Sequence, residues 1–105
     1  MPNEEYHNPN NQLTVAFDID GTLIYDERFG SQADTPRYDV IGLYHTFQGL
    51  DFKLYIWSGG GIDYARHWAQ KLGLVLAEIV VKGSFVPDIA IDDEEVNLGK
   101  VNIKV

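Results

Sequence analysis

The chain has 105 residues, 45% hydrophobic and 23% charged, no cysteine, and sixteen acidic against eight basic side chains, a formal net charge of −8. That apolar content excludes disorder for the body of the chain, and the lack of thiols excludes disulfide scaffolds, cysteine nucleophiles and zinc–thiolate sites. The acidic balance argues against sequence-independent binding to nucleic acid or anionic membranes, no apolar run approaches the ~20 residues of a span, and a soluble cytoplasmic protein is expected.

Residues 1–12 (MPNEEYHNPNNQ) are polar, carry Pro2 and Pro9, and are expected to form a loose tail that includes His7; a single domain is expected over 13–105. The run LTVAF from Leu13 to Phe17 reads as a strand buried on both faces that stops at Asp18. The segment from Gly21 to Pro36 has no helical period and reads as an irregular turn or hairpin. A first helix is expected from Thr35-Pro36, as cap and first turn, to about Gly49, with Val40, Leu43, Tyr44 and Phe47 inward. A second strand, FKLYIW at 52–57, ends at Ser58 and the triple glycine Gly59 to Gly61, which launches a second helix over 62–72 closed by Gly73. Short strands follow at 78–81, reaching Lys82, at 89–91, reaching Asp92 and Asp93, and at 101–105. This alternation predicts an α/β, three-layer domain with a mainly parallel, Rossmann-like sheet, lacking a helix between its third and fourth strands.

In a parallel sheet the C-terminal strand ends share one edge, where ligands bind. That edge collects Asp18, Ser58, Lys82 and Asp92, and this set suits a phosphate. The N–H groups of the 58–61 turn, Gly59 among them, and the following helix N-terminus would hold phosphate oxygens, with Lys82 adding a point charge. Asp18, Asp20, Asp92 and Asp93 would repel one another without a cation, and hard oxygen donors beside a phosphate point to Mg²⁺.

Four motifs in order carry a family resemblance. VAFDIDGTLI at 15–24, IWSGG, Lys82 and IDDE at 91–94 resemble the four motifs of the haloacid dehalogenase superfamily and span most of the chain. The resemblance implies a nucleophile at Asp18 and a general acid and base at Asp20. It also implies phosphate contacts from Ser58 and Lys82, and Mg²⁺ held by Asp18, the Asp20 carbonyl and Asp92. Most members are phosphatases or phosphotransferases. Many also carry a cap domain that selects substrate, whereas the corresponding segments here hold one helix each, so the chain resembles a capless member.

Each motif also has a bland reading: Asp-Gly as a plain turn, Ser58 as a helix cap, Lys82 as a solvated lysine with Lys71 as rival, and DDEE as a solvated charge cluster. The position of Asp92 after IAI favours metal work, with Asp93 behind it. His45 and His67 read as surface or packing residues, the tyrosines and tryptophans as core, and Tyr25, Asp26 and Arg28 as a flap within reach of substrate. The expected function is a Mg²⁺-dependent phosphatase forming an aspartyl-phosphate. Its partner would be a small phosphomonoester or a phosphorylated macromolecule, and a neighbouring subunit has room to act as lid. The alternatives are a receiver-like module that holds phosphate on an aspartate and a catalytically weak interaction domain.

Overall fold

Five strands and two helices follow from the apolar runs. The computed structural model describes residues 12–105; the predicted tail, with His7, lies outside the described residues apart from Gln12, whose side chain donates to the Asp51 carbonyl at 3.1 Å. The elements are β1 (Thr14–Phe17), a 3-10 segment (Glu27–Gln32), α1 (Tyr38–Gly49), β2 (Lys53–Ile56), α2 (Ile62–Lys71), β3 (Glu78–Ile79), β4 (Ile89–Asp92) and β5 (Val101–Lys104). All neighbouring strands pair in parallel, in the order β3-β2-β1-β4-β5. No helix among the described residues is long and apolar enough to cross a membrane.

Alternation along the strands sorts the core into two faces. Val15, Phe17, Leu54, Ile56 and Ile91 share one cluster with Val40, Ile41 and Tyr44 of α1 and Ala65, Trp68 and Ala69 of α2. Both connections step the same way across the sheet, so crossovers of one hand put both helices on this face. Ala16, Trp57 and Ala90 point to the other face, where Tyr55, Phe85 and Leu98 pack on them. The third layer is therefore built from the loops around β4 rather than from a helix. Complete burial of side chains such as Phe17 and Ile56 contributes about 1.5–3 kcal/mol each.

The short β4–β5 crossover is explained by Asn102 and Gly99. Only eight residues separate the two strands, fewer than the dozen or more typical of a parallel connection. Asn102 Oδ1 accepts from the backbone N–H groups of Leu98 and Gly99, both at 2.8 Å, and its amide donates to the Gly99 carbonyl at 2.9 Å. A Cβ on Gly99 would lie 2.8 Å from the Ala90 nitrogen, so only glycine lets the loop cross so close to β4.

Two boundaries and one inward-facing position differ from the sequence reading. Helix α1 starts at Tyr38, because the Thr35 hydroxyl donates to the Gln32 carbonyl at 2.6 Å and Pro36 forms a bridge with Ile24; neither is left to cap a helix. On α1 it is Ile41, 9% exposed, that turns inward, while Leu43 is 36% exposed. Strand β3 is a two-residue edge strand, and Val81 just beyond it is exposed. Gly73 does close α2: at φ +74 it places its own N–H on the Gln70 carbonyl and that of Leu74 on the Ala69 carbonyl.

Candidate functional site

The register brings the polar strand ends level. Phe17 pairs with Ile56 on one side and Ile91 on the other, so Asp18, the Trp57-Ser58 step and Asp92 emerge together from the middle of the sheet. Strand β1 is also where the chain order reverses, with β2 and β3 on one side and β4 and β5 on the other. Crevices in open α/β sheets form at such a switch point.

Asp18 and Asp92 are buried at this point, 6% and 2% exposed. Lys82, arriving two residues beyond Val80 on the β3 side, bridges them: its Nζ donates to Asp18 Oδ1 at 3.0 Å and to Asp92 Oδ2 at 2.8 Å. The Glu94 N–H donates to Asp92 Oδ1 at 2.9 Å, a contact that curls the chain after β4 and turns Asp93 inward. Thr22, fully buried, sits with its hydroxyl 3.2 Å from Asp18 Oδ2 and 3.4 Å from Asp93 Oδ1. Carboxylate oxygens of Asp18, Asp92 and Asp93 lie within 4.8 Å of one another.

Burial, reinforced by the charge of Asp92 and only partly offset by Lys82, pushes the Asp18 carboxyl up to about 6. Burial and Asp92 also raise Asp93. Burial alone would lower Lys82, but its hydrogen bonds and charge contacts with Asp92 and Asp18 outweigh it and hold the ammonium above its ordinary range. Lys82 thus pairs with Asp18 and Asp92, while the Arg28 guanidinium reaches Asp93 at 2.7 Å, so three carboxylates share one ammonium and one guanidinium. Asp18, Asp92 and Asp93 could together hold a metal ion through their carboxylate oxygens.

Gly21 is required by this packing. It has φ +79, and a Cβ there would overlap the Asp93 carboxylate. Arg37 holds the same turn from outside, donating from Nη1 to the Gly21 carbonyl at 2.8 Å.

Ser58 is buried at the end of β2, and its Oγ accepts from the Gly60 N–H at 2.9 Å. Gly61, at φ +100, is the residue that caps α2, so the glycine turn feeds the helix N-terminus onto the sheet edge. Gly59 is exposed with open space where a Cβ would sit. Asp20 is exposed, and its Oδ1 accepts from the Tyr64 hydroxyl at 2.6 Å. Burial and this contact push Tyr64 up to about 12, so its hydroxyl is the donor at neutral pH.

An open cleft of about 560 Å³ adjoins Asp20, lined by Tyr64, Arg28, Asp26 and Asp34 among others. The 3-10 segment forms one wall. Arg28 ties it down, with Nη2 at 2.7 Å from both Asp26 Oδ2 and Asp93 Oδ2. Tyr25 stacks edge-on with Phe29, their ring centroids 5.0 Å apart.

The structure therefore joins Asp18, Lys82 and Asp92 by direct contact and brings an Asp93 oxygen within 4.8 Å of both carboxylates, with Asp20, Ser58 and Gly59 along the same edge. Lys71, the rival lysine, lies 4.9 Å from the centre of the Trp68 ring, and His45 and His67 are exposed on α1 and α2. Trp57 turns to the opposite face of the sheet. Sequence reasoning overlooked Thr22 and Tyr64. The first was signalled by its place directly after Asp-x-Asp-Gly, whereas the second was grouped with the other tyrosines as core. No family model, curated protein or solved structure matches this chain.

Proposed function

We propose that this chain is a Mg²⁺-dependent phosphatase of the haloacid dehalogenase type, hydrolysing phosphomonoesters through an aspartyl-phosphate on Asp18. The observation that carries the reading is the bridge from Lys82 to both Asp18 and Asp92 at the switch point, with Asp20 two residues beyond the first carboxylate on the cleft side. A buried carboxylate beside a fixed cation, a serine-glycine turn and a helix N-terminus are the parts that an in-line phosphoryl transfer needs.

In this reading an Asp18 oxygen attacks phosphorus while the bond to the ester oxygen breaks, and Asp20 gives that oxygen its proton. Asp20, now a carboxylate, takes a proton from water as the water oxygen attacks phosphorus, releasing phosphate and restoring Asp18. Lys82 holds Asp18 in place and, with the Ser58 turn, meets the phosphate oxygens. Mg²⁺, held by Asp18, Asp92 and Asp93, with the Asp20 carbonyl as the resemblance implies, would neutralise charge on the transferring group.

The test is a generic aryl phosphate offered with Mg²⁺ and with chelator. Sustained metal-dependent turnover supports the enzyme, a single turnover supports a receiver-like module, and no phosphate release supports an interaction domain.

A further inference from the structure

Asp20 is the exposed carboxylate of the site, and an exposed carboxyl on a turn is free to rotate unless something holds it. Tyr64 does so from α2, its hydroxyl 2.6 Å from Asp20 Oδ1. The ring lies close against Gly60, where a Cβ would come within 3.0 Å of ring Cδ2. Tyr64 therefore spans from the glycine turn to Asp20, along the wall of the cleft that both residues line.

We infer that Tyr64 is a positioning residue for proton transfer, selecting Oδ2 of Asp20 as the oxygen that meets the leaving group; this rests on the phosphatase reading. With Oδ1 engaged by the hydroxyl, the carboxylic acid carries its proton on Oδ2 and still accepts from Tyr64. As the Asp18–phosphorus bond forms and the ester bond breaks, the Oδ2 proton passes to the departing oxygen. The hydroxyl stays on Oδ1 throughout, so the carboxylate is already oriented when it accepts a proton from water in the second step. Orientation of this kind is worth part of the 10²–10⁴-fold usually supplied by a general acid.

Tyr64→Phe removes the hydroxyl and keeps the ring against Gly60. The ratio kcat/KM, which reports only steps up to phosphorylation of Asp18, is measured for an alkyl and an aryl phosphate in Mg²⁺. An alkoxide needs the proton more than an aryloxide does, so the alkyl ester should lose about 10-fold and the aryl ester less than about 2-fold. In the Asp20→Asn background the same substitution should cost nothing further. A second measurement is independent of turnover: in chelated protein labelled with ¹³Cζ-tyrosine, Asp20→Asn should move the Tyr64 resonance. Equal losses on both esters, a further loss in the Asp20→Asn background, or an unmoved resonance would each overturn the role of Tyr64 while leaving the phosphatase reading standing. A wild-type protein that turns over neither ester in Mg²⁺ overturns both.

Discussion

Replacing Asp18 by Asn should stabilise the metal-free protein at neutral pH. Asp18 is 6% exposed, faces Asp92, and titrates at about 6 in the folded chain against an ordinary 3.8. The rise from 3.8 to about 6 corresponds to about 3 kcal/mol that the folded chain loses when this carboxyl ionises. The sign follows from proton binding: between pH 4 and 6 the folded state holds the proton more tightly than the unfolded state. The contribution is therefore intact below about pH 4, falls as pH rises to about 6 and is flat above that. Asn keeps the shape and an acceptor for Lys82 without the charge, so the variant should gain up to about 3 kcal/mol at pH 7, on the order of 10 °C in Tm for a domain of this size. The assay is thermal melting of both proteins in chelator from pH 4 to 8, repeated in saturating Mg²⁺. The two melting curves should converge near pH 4, separate towards pH 7, and close up or cross in Mg²⁺, where the wild-type carboxylate has an ion to face. A variant that melts at or below wild type at pH 7 in chelator would refute the reasoning.

Wild-type protein should melt higher in Mg²⁺ than in chelator, with the shift much reduced in Asp92→Asn and Asp93→Asn; a midpoint that ignores Mg²⁺ would count against the site. Gly21→Ala should destabilise by more than the ~1–2 kcal/mol of its left-handed backbone alone, because the new methyl displaces Asp93, and its Mg²⁺-induced melting shift should shrink as well; circular dichroism melts with and without Mg²⁺ check both. Lys82→Met leaves two buried carboxylates facing each other, so it should lower Tm in chelator and respond to Mg²⁺ more strongly than wild type; an unchanged Tm in chelator would argue that Lys82 is not seated between them.

How much of this was legible depended on where each signal resides. The runs around Val15, Leu54 and Ala90 mark strands because both faces of the central sheet are covered, and from the alternation of strands and helices alone the sheet edge carrying Asp18, Ser58 and Asp92 followed. The start of α1 was not legible, because Thr35-Pro36 reads equally as a cap or as the close of the preceding turn, and the Gln32 carbonyl decides it. The partnership of Tyr64 with Asp20 joins residues 44 apart in sequence, and that of Arg28 with Asp93 residues 65 apart. Contacts of that separation depend on how α2 and the 3-10 segment come to rest on the sheet edge. Local pattern carries no record of them. Thr22 differs: it was present in the Asp-x-Asp-Gly-Thr string, and only its hydroxyl geometry needed the fold.

The central claim is that Asp18 is phosphorylated and Asp20 moves the protons. Under the proposed mechanism, Asp20→Asn keeps the Asp18 nucleophile and the backbone carbonyl of residue 20 but loses the base for hydrolysis, so it should trap the intermediate. The direct measurement is intact-protein mass spectrometry after rapid acid quench of each variant mixed with an aryl or acyl phosphate and Mg²⁺. A single phosphoryl adduct on Asp20→Asn, mapping by peptide analysis to Asp18, and none on Asp18→Asn is the predicted result. An adduct that persists on Asp18→Asn, or that maps to Ser58, would contradict it.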